Sequence, residues 1–309
     1  MKTSGISIQK SYHFFDYIYT INKKTKAFLR DTTLSEKEVL SKDPKKISLS
    51  KYKYPVYAWI EENPSDRKFI TIYWWTEADR IIMPENCCNL FSWQTDLKEL
   101  DLSGLDFSQV KCLDNMFSYD KSLKKCDLSQ CNFDSVESID SIFYGCIELE
   151  EVIFPDMKNN PNAIYMMNSF AKCMKLKIIY LKNIKVKCAN YTFQECNELE
   201  EMDISTWDFS EAEEVCFTFY DCSKLKIIDF SNKIMDKVRR MDSIFYGCNE
   251  LRIANMENIS ARSNLSIDFI FCDCIKLRTL ILRNSNFGKN ATKHHIYKNC
   301  ISLTDIKTN

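Results

Sequence analysis

Apolar residues recur along most of this chain with a nearly constant spacing. An aromatic anchor returns at intervals of 26, 26, 27, 23, 26, 26, 26 and 26 residues, and a leucine follows each anchor six positions later, from Leu97 to Leu303. A period of about 20–29 residues is typical of a solenoid in which one repeat forms one coil. The anchors are Phe91, Phe117, Phe143, Phe170, Phe193, Phe219, Phe245, Phe271 and Tyr297.

Each of these leucines opens a segment of the form L-x-x-h-x-h, where h is an apolar residue. The segment Leu97–Leu102 reads LKELDL, and Leu225–Phe230 reads LKIIDF. Its last three positions alternate apolar, polar, apolar, as in a strand whose middle residue points outward. One such strand per coil, stacked in register, predicts a parallel sheet along one face of the solenoid.

The segment between anchor and leucine predicts the opposite face of each coil. It has the form Phe-x-x-Cys in most repeats, and an apolar residue such as Met116 or Ile142 precedes the anchor. We interpret it as a short helical or 3-10 turn. Together with the strands, these turns predict an α/β solenoid over residues 90–309, with about eight to nine coils of about 26 residues.

Residues 1–89 lack the repeat and are predicted to form a β-rich cap that shields the first coil. The runs Tyr54–Ile60 and Phe69–Trp75 are aromatic and β-branched, and the polar segment between them predicts a hairpin. The charged segment Ser35–Lys45 is predicted to include a short helix. At the other end, only six residues follow Leu303, which favours self-association or partner docking through the C-terminal coil.

The chain contains 15 cysteines, and their placement matters more than their number. Seven of them stand three residues after an anchor, where a cysteine packs as a small apolar residue. We therefore expect reduced, buried thiols. Disulfides between neighbouring coils of this column are the alternative in an oxidising environment. The column consists of Cys146, Cys173, Cys196, Cys222, Cys248, Cys274 and Cys300.

Charge and hydropathy exclude several classes of ligand. The formal net charge is −1, and both signs are mixed along the chain, so nothing favours nucleic acid or an anionic membrane as a direct ligand. No segment reaches the roughly 18 apolar residues of a membrane span. The segment Met1–Ile21 has no unbroken apolar stretch typical of a signal peptide. We therefore expect a cytoplasmic protein, with surface display or secretion by a non-classical route as the alternative.

The repeat resembles that of BspA-like leucine-rich-repeat proteins. The resemblance rests on Leu97–Val110 followed by Met116 and Phe117, and on the segments Ser141–Cys146 and Ser243–Cys248. It covers about residues 80–309 well and residues 45–80 more loosely. It implies a leucine-rich-repeat stack that binds other proteins and has no enzymatic activity of its own. The later coils depart from the pattern, because the segment Asp106–Val110 has no clean equivalent after Leu251 or Leu277.

The outward position of the strand carries the candidate binding residues. It is acidic in four coils, while Ile153 and Tyr180 interrupt the acidic series. This arrangement favours a concave face with an apolar, aromatic middle flanked by acidic coils. The alternative is that the aspartates only bond to neighbouring backbone groups. The candidate partner-binding residues are Asp101, Asp127, Ile153, Tyr180, Asp203 and Asp229.

A second outward position, directly after each leucine, mixes lysine, arginine and glutamate. Opposite charges there are expected to pair across coils, with about 0–1 kcal/mol for each pair. The series is Lys98, Lys124, Glu150, Lys177, Glu200, Lys226, Arg252 and Arg278.

Catalytic and metal-binding patterns are weak in this sequence. The chain has three histidines, His13, His294 and His295, and none of the common nucleophile, phosphate-loop or zinc-protease motifs occurs. The pairs Cys87–Cys88 and Cys272–Cys274 are too closely spaced for a zinc site. We therefore predict no catalytic residue, no cofactor, no bound metal and no small-molecule substrate.

Two functional hypotheses follow from these patterns. The first is a non-enzymatic scaffold that recognises a partner protein through the concave face of the solenoid. The alternative is a phage- or pathogen-encoded inhibitor or effector that clamps a host, competitor or nucleic-acid-processing enzyme.

Overall fold

The computed structural model describes residues 3–5, 24–47, 53–262, 265–288 and 290–308. Most of the segment Met1–Ile21, and with it His13, lies outside these residues. The elements in chain order are β1 (Thr3–Gly5), β2 (Lys24–Arg30), α1 (Glu36–Leu40), β3 (Lys45–Lys46), β4 (Val56–Glu62), β5 (Phe69–Thr76), β6 (Arg80–Ile82), β7 (Glu99–Leu100), β8 (Leu105–Asp106), β9 (Lys125–Asp127), β10 (Glu151–Ile153), a 3-10 turn (Met157–Asn159), β11 (Ile164–Tyr165), β12 (Ile178–Tyr180), β13 (Val186–Cys188), β14 (Ile227–Asp229), β15 (Ile234–Met235), β16 (Ile253–Asn255), β17 (Ser260–Ala261), β18 (Thr279–Ile281) and β19 (Asp305–Lys307).

The predicted parallel sheet is confirmed for the second to fourth and the sixth to ninth coils, each of which contributes one short strand to it. It runs as β9-β10-β12 and, further along, as β14-β16-β18-β19. Every pairing in these two stretches is parallel and in register. The predicted alternation is also confirmed, since Val152 and Ile228 in the middle of their strands are buried while Asp127 and Asp229 are exposed. The L-x-x-h-x-h segment therefore contains a strand, as predicted.

The anchor aromatics form a continuous stack through the centre of the solenoid. From Phe91 to Phe271, consecutive rings lie 5.1–5.8 Å apart between centroids, with their planes within 18° of parallel. All of these phenylalanines are buried. Because each ring is covered by the rings of the coils before and after it, no coil completes this core by itself.

The turn segments are not helical, so the α/β description of the solenoid is wrong. In the coil of Phe117, Asn115 and Tyr119 have left-handed φ values of 56° and 63°, which a right-handed helix does not accept. The N–H groups of Asn115, Phe117 and Tyr119 bond to the next coil, while the residues between them bond locally. Since every second amide is used between coils, no continuous helical ladder forms. From residue 90 onward, apart from the 3-10 turn, the described residues form a β-solenoid.

The cysteine column adds a second set of bonds between coils. Each of its seven thiols lies 2.9–3.1 Å from the anchor carbonyl oxygen of the preceding coil, and the S–H donates to that oxygen. The prediction of reduced, buried thiols is confirmed for the column, apart from the half-buried Cys300. It is wrong for Cys88 and Cys112, which lie outside the column and form a disulfide between the first two coils.

The N-terminal region continues the solenoid core. The predicted hairpin is confirmed as the antiparallel pair β4 and β5, and the predicted helix is α1, which begins with a capping box at Ser35 and Glu38. The sheet order β3-β4-β5-β2-β7 joins this region to the strand of the first coil. The ring of Phe28 packs edge-on against Phe91 at 5.1 Å, so it covers the first ring of the stack. The domain boundary at residue 89 stays a prediction.

Asp120 occupies the cysteine column in the coil of Phe117 and is fully buried. One of its carboxyl oxygens accepts a hydrogen bond of 2.7 Å from the Gln94 N–H. The other, Oδ2, has no hydrogen-bond partner among protein atoms. Burial raises the pKa of Asp120 well above its ordinary value, although the Gln94 bond opposes this. An ionised carboxylate at this position costs folding free energy.

We predict that Asp120→Asn stabilises the protein in a pH-dependent way. The folded-state pKa of Asp120 lies above its unfolded value of about 3.9, so the wild type loses stability relative to the variant as the pH rises from about 4 through the folded pKa. The amide keeps the acceptor for Gln94 without a charge. Urea unfolding should show a gain of about 1–3 kcal/mol at neutral pH and almost none at pH values below about 4.

Asp127→Asn on the exposed strand face is the control, with an expected change below about 0.5 kcal/mol. A gain from Asp120→Asn that is the same at both pH values would contradict a charge-based penalty.

Candidate protein-binding face

The six residues predicted to bind a partner lie in one column on the outward side of the strands. Asp127, Ile153, Tyr180 and Asp229 are the last residues of β9, β10, β12 and β14. In register, Asp127 is opposite Ile153, and Ile153 is opposite Tyr180. Asp101 and Asp203 hold the equivalent place in the first and fifth coils, just beyond β7 and the bridge residue Glu201.

The aspartates of this column stabilise local turns. In each case Oδ1 accepts a hydrogen bond of 2.7–2.9 Å from the N–H of a serine two residues later, as Ser103 does for Asp101 and Ser205 for Asp203. Asn255 makes the same bond to Glu257, at 3.1 Å. The aspartates thus bond to neighbouring backbone groups, as the alternative interpretation of these residues expects. The bonds to Ser205 also lower the pKa of Asp203, which favours its ionised form.

The apolar departures from this column form an exposed patch. The side chain of Tyr180 is 50% exposed, and Ile178 on the same strand is 43% exposed. Ile153 packs beside Tyr180 in the neighbouring strand. Isolated exposed apolar residues are common, but adjacent ones on a rigid sheet are typical of an interaction surface.

Sequence analysis missed part of this surface. Each observed strand begins two residues after the anchor leucine, so a second outward position lies at its start. Ile178, Ile227 and Ile253 occupy it, and Ile227 lies opposite Ile253 in register. The same L-x-x-h-x-h pattern contained this signal, because its second x is the strand's first residue. We assigned the outward role to the first x instead.

The strand face is interrupted beside Tyr180. Among the described residues, no strand pairing joins β12 to the following coil, whose Glu201 bridges forward to Ile227. The interruption is local, because the rings of Phe170 and Phe193 remain stacked at 5.2 Å. It coincides with the short interval of 23 residues between these two anchors. This break therefore separates Tyr180 from Asp203. A second break lies between the first two coils, because no pairing joins β7 to β9 in the described residues.

A cleft of about 410 Å³ lies beside Asp203 and Asp229, and Lys233 lies along its wall. The Lys233 ammonium donates hydrogen bonds of 2.8, 2.8 and 3.0 Å to the carbonyl oxygens of Ile204, Ser205 and Trp207. Burial lowers the pKa of Lys233, although Asp229 and Asp203 act in the opposite direction. Lys233 thus stabilises the preceding coil by holding three of its carbonyl groups in place. The cleft is lined by Met202, Asp203, Ile204, Ser205, Asp229, Ser231, Asn232 and Lys233.

Five of the eight charged residues directly after the leucines pair across coils, as predicted. Lys226 forms an ion pair with Glu200, and Glu150 lies 4.0 Å from both Lys124 and Lys177. These pairs are at the surface, where each contributes little stability.

Comparisons with known proteins agree with the repeat pattern. The family described as BspA type leucine-rich repeat region matches residues 111–252 and 216–309, in six copies. A comparison with curated proteins gives no match. Within the described residues, no helix has the length and apolar character needed to cross a bilayer.

Three solved structures are similar to this chain. A leucine-rich repeat protein from Bacteroides ovatus ATCC 8483 is 19% identical, with coverage of 74% of this chain and 78% of the other and a TM-score of 0.30. A leucine-rich cell surface protein from Faecalibacterium prausnitzii A2-165 is 16% identical, with coverages of 75% and 79% and a TM-score of 0.32. The TLR13–ssRNA13 complex is 15% identical, with coverages of 74% and 40% and a TM-score of 0.32.

We predict that Lys233→Met destabilises the protein by about 1–3 kcal/mol. Methionine fills a similar volume but cannot donate to the carbonyl oxygens of Ile204, Ser205 and Trp207. The control is Lys237→Met. In the wild type, the Lys237 ammonium forms an exposed ion pair of 2.6 Å with Glu211, and loss of this pair should cost less than about 1 kcal/mol. Urea unfolding measures both. Equal losses in the two variants would show that Lys233 does not fix the preceding coil.

Proposed function

Because this chain belongs to the BspA-type leucine-rich repeat family, we propose that it is a protein-binding scaffold, and that its partner binds the strand face around Tyr180. The support is a single observation: Ile178 and Tyr180 are exposed, the partly buried Ile153 lies opposite Tyr180, and this apolar patch lies directly beside an interruption of the sheet. Large aromatic side chains at the centre of a patch commonly supply most of the binding energy.

The charges around the patch favour a partner with basic residues. Asp127 lies on one side of the patch, and Asp203 and Asp229 lie beyond the interruption on the other. Carboxylates at the rim attract a basic partner and select against an acidic one. We therefore propose an apolar or aromatic anchor, flanked by lysine or arginine, as the partner's contact surface. The same acidic rim disfavours the phosphate backbone of nucleic acids.

The rigid backbone supports recognition rather than catalysis. The outward residues are presented by strands whose amides bond to neighbouring coils, so binding requires little ordering of the chain. Leucine-rich repeats generally act as scaffolds, and we propose the same non-enzymatic role here. The inhibitor or effector hypothesis and the cytoplasmic location stay predictions.

Self-association through the C-terminal coil is a separate prediction. Ile301 is 84% exposed, and Tyr297 and Ile306 are exposed beside it. An apolar cluster of this kind can dock on another surface, which analytical ultracentrifugation of the intact chain would detect.

The proposed binding role is tested with the double variant Tyr180→Ala, Asp203→Lys. Wild type and variant are immobilised, and proteins captured from a lysate of the native source are compared by mass spectrometry. A partner bound through the strand face should bind the variant at least about 30-fold more weakly, equivalent to about 2 kcal/mol. Asp203→Asn, which keeps an acceptor for Ser205 and removes the charge, should show an intermediate loss.

The matched control is Trp93→Ala. Trp93 is 55% exposed but stacks on Tyr119 in the turn segments, away from the strands. Its removal should leave the captured partner bound. If a partner is lost with Trp93→Ala and kept with the double variant, the strand face is not the binding surface.

A further inference from the structure

Cys88 and Cys112 bring two thiol side chains together between the first two coils. Their Cα atoms lie 6.1 Å apart, and their sulfur atoms form a disulfide. The backbone fixes this arrangement on both sides of Cys88, because the Cys87 N–H donates to the Cys112 carbonyl and the Asn89 N–H donates to the Asp114 carbonyl, each at 2.9 Å. Cys88 therefore faces both Cys112 and Asp114 of the next coil.

In two later pairs of coils, the same place is occupied by a carboxylate and a hydroxyl. The residue three positions before the anchor is Asp114 in the second coil and Asp242 in a later one. Asp114 accepts a hydrogen bond from Ser138, and Asp242 accepts one from Ser266. Between the first two coils, two cysteine side chains replace this hydrogen bond, and they have chemistry that a carboxylate–hydroxyl pair lacks.

Asp114 completes a group of three metal-ligating side chains. One potential ligand atom from each of Cys88, Cys112 and Asp114 lies within 4.8 Å of the others, and all three residues are partly exposed. The carboxylate is already oriented, since its Oδ1 accepts from the Ser138 hydroxyl at 2.5 Å and from the Asp140 N–H at 3.0 Å. Hydrogen bonds of this kind commonly orient the ligands of a metal.

We propose that Cys88, Cys112 and Asp114 form a zinc-class metal site when the two cysteines are reduced, and that disulfide formation closes it. Two thiolates and one carboxylate suit Zn²⁺, which is usually four-coordinate. Calcium and magnesium prefer oxygen ligands alone. Three protein ligands leave the fourth position for water or for a group of a partner.

The disulfide form and the reduced form interconvert by thiol–disulfide exchange with a small molecule. In the closing direction, a small-molecule disulfide takes up two electrons and two protons and becomes two thiols, while the Cys88 and Cys112 thiols lose them and form an S–S bond. In the reduced protein, metal binding releases the two thiol protons instead. A disulfide has no thiolate, so the oxidised form lacks two of the three ligands.

The cysteine column does not compete for the metal. Burial raises the pKa of thiols such as Cys173 and Cys222, and each of them donates to a carbonyl oxygen inside the core. Metal therefore reaches Cys88 and Cys112 first, although the chain contains 13 further cysteines, all of them free thiols.

The test is a titration of the reduced full-length protein with Co²⁺ and then Zn²⁺. Cobalt bound to thiolates gives a sulfur-to-metal charge-transfer band, and zinc competing with a chromophoric chelator gives the affinity. We expect one site in the reduced wild type, none in the oxidised wild type, and none in Cys112→Ser. Cys188→Ser, which removes a half-buried thiol elsewhere, is the control and should bind as the wild type does.

Asp114→Asn and Ser138→Ala keep both thiols and separate the site from any loss of stability in Cys112→Ser. Asp114→Asn should weaken zinc binding, and Ser138→Ala should weaken it by about 10–100-fold, while both retain reversible disulfide formation. Binding that is unchanged in Cys112→Ser, equal in the oxidised protein, or independent of Asp114 would overturn the proposal.

Discussion

The fold depends on bonding between successive coils rather than within them. Each coil is too small to enclose its own aromatic anchor, its cysteine and its leucine, so these side chains become buried only when another coil covers them. The backbone follows the same constraint. Alternate amides of every turn donate to the next coil, as those of Phe117 and Tyr119 do. The hydrophobic stack and the amide ladder therefore form together or not at all.

This constraint determines where variation is tolerated. Positions inside the stack must fit the neighbouring ring or carbonyl, and Asp120 shows the penalty when a charged residue occupies one of them. Lys233 shows the opposite outcome, because its ammonium donates hydrogen bonds to three carbonyl oxygens of the preceding coil. Only the outward strand residues and the turn surface are free to change. The apolar patch at Tyr180 and the cysteine pair between the first two coils lie at such positions.

Much of the fold could be predicted from the spacing of Phe117 and its equivalents, because a repeating inward side chain has one simple physical explanation. The conformation of the turns could not. Left-handed φ values are usually signalled by glycine or asparagine, but here Tyr119, Tyr191 and Phe217 adopt them, held by the ladder between coils. A local reading of Phe-x-x-Cys therefore favoured a helical turn.

The candidate site was only partly visible in the sequence, for similar reasons. Ile153 and Tyr180 stood out as departures from the aspartate column, but the interruption beside Tyr180 is visible only in how the coils pair. Cys88 and Cys112 are separated by 24 residues, which matches neither the repeat period nor a local metal motif. Their proximity follows from the offset between two parallel segments, and this offset requires the observed register.

The central claim, that the cysteine column is sealed between stacked coils, is tested most directly by labelling the reduced native protein with a thiol reagent and locating the label by mass spectrometry. The buried thiols of the column should remain unlabelled as long as the protein is folded. They should react only when the whole protein unfolds, and therefore all at one common rate. These thiols are Cys146, Cys173, Cys196, Cys222, Cys248 and Cys274. Rapid labelling of several of these thiols in the folded protein, or separate rates for neighbouring coils, would contradict the account.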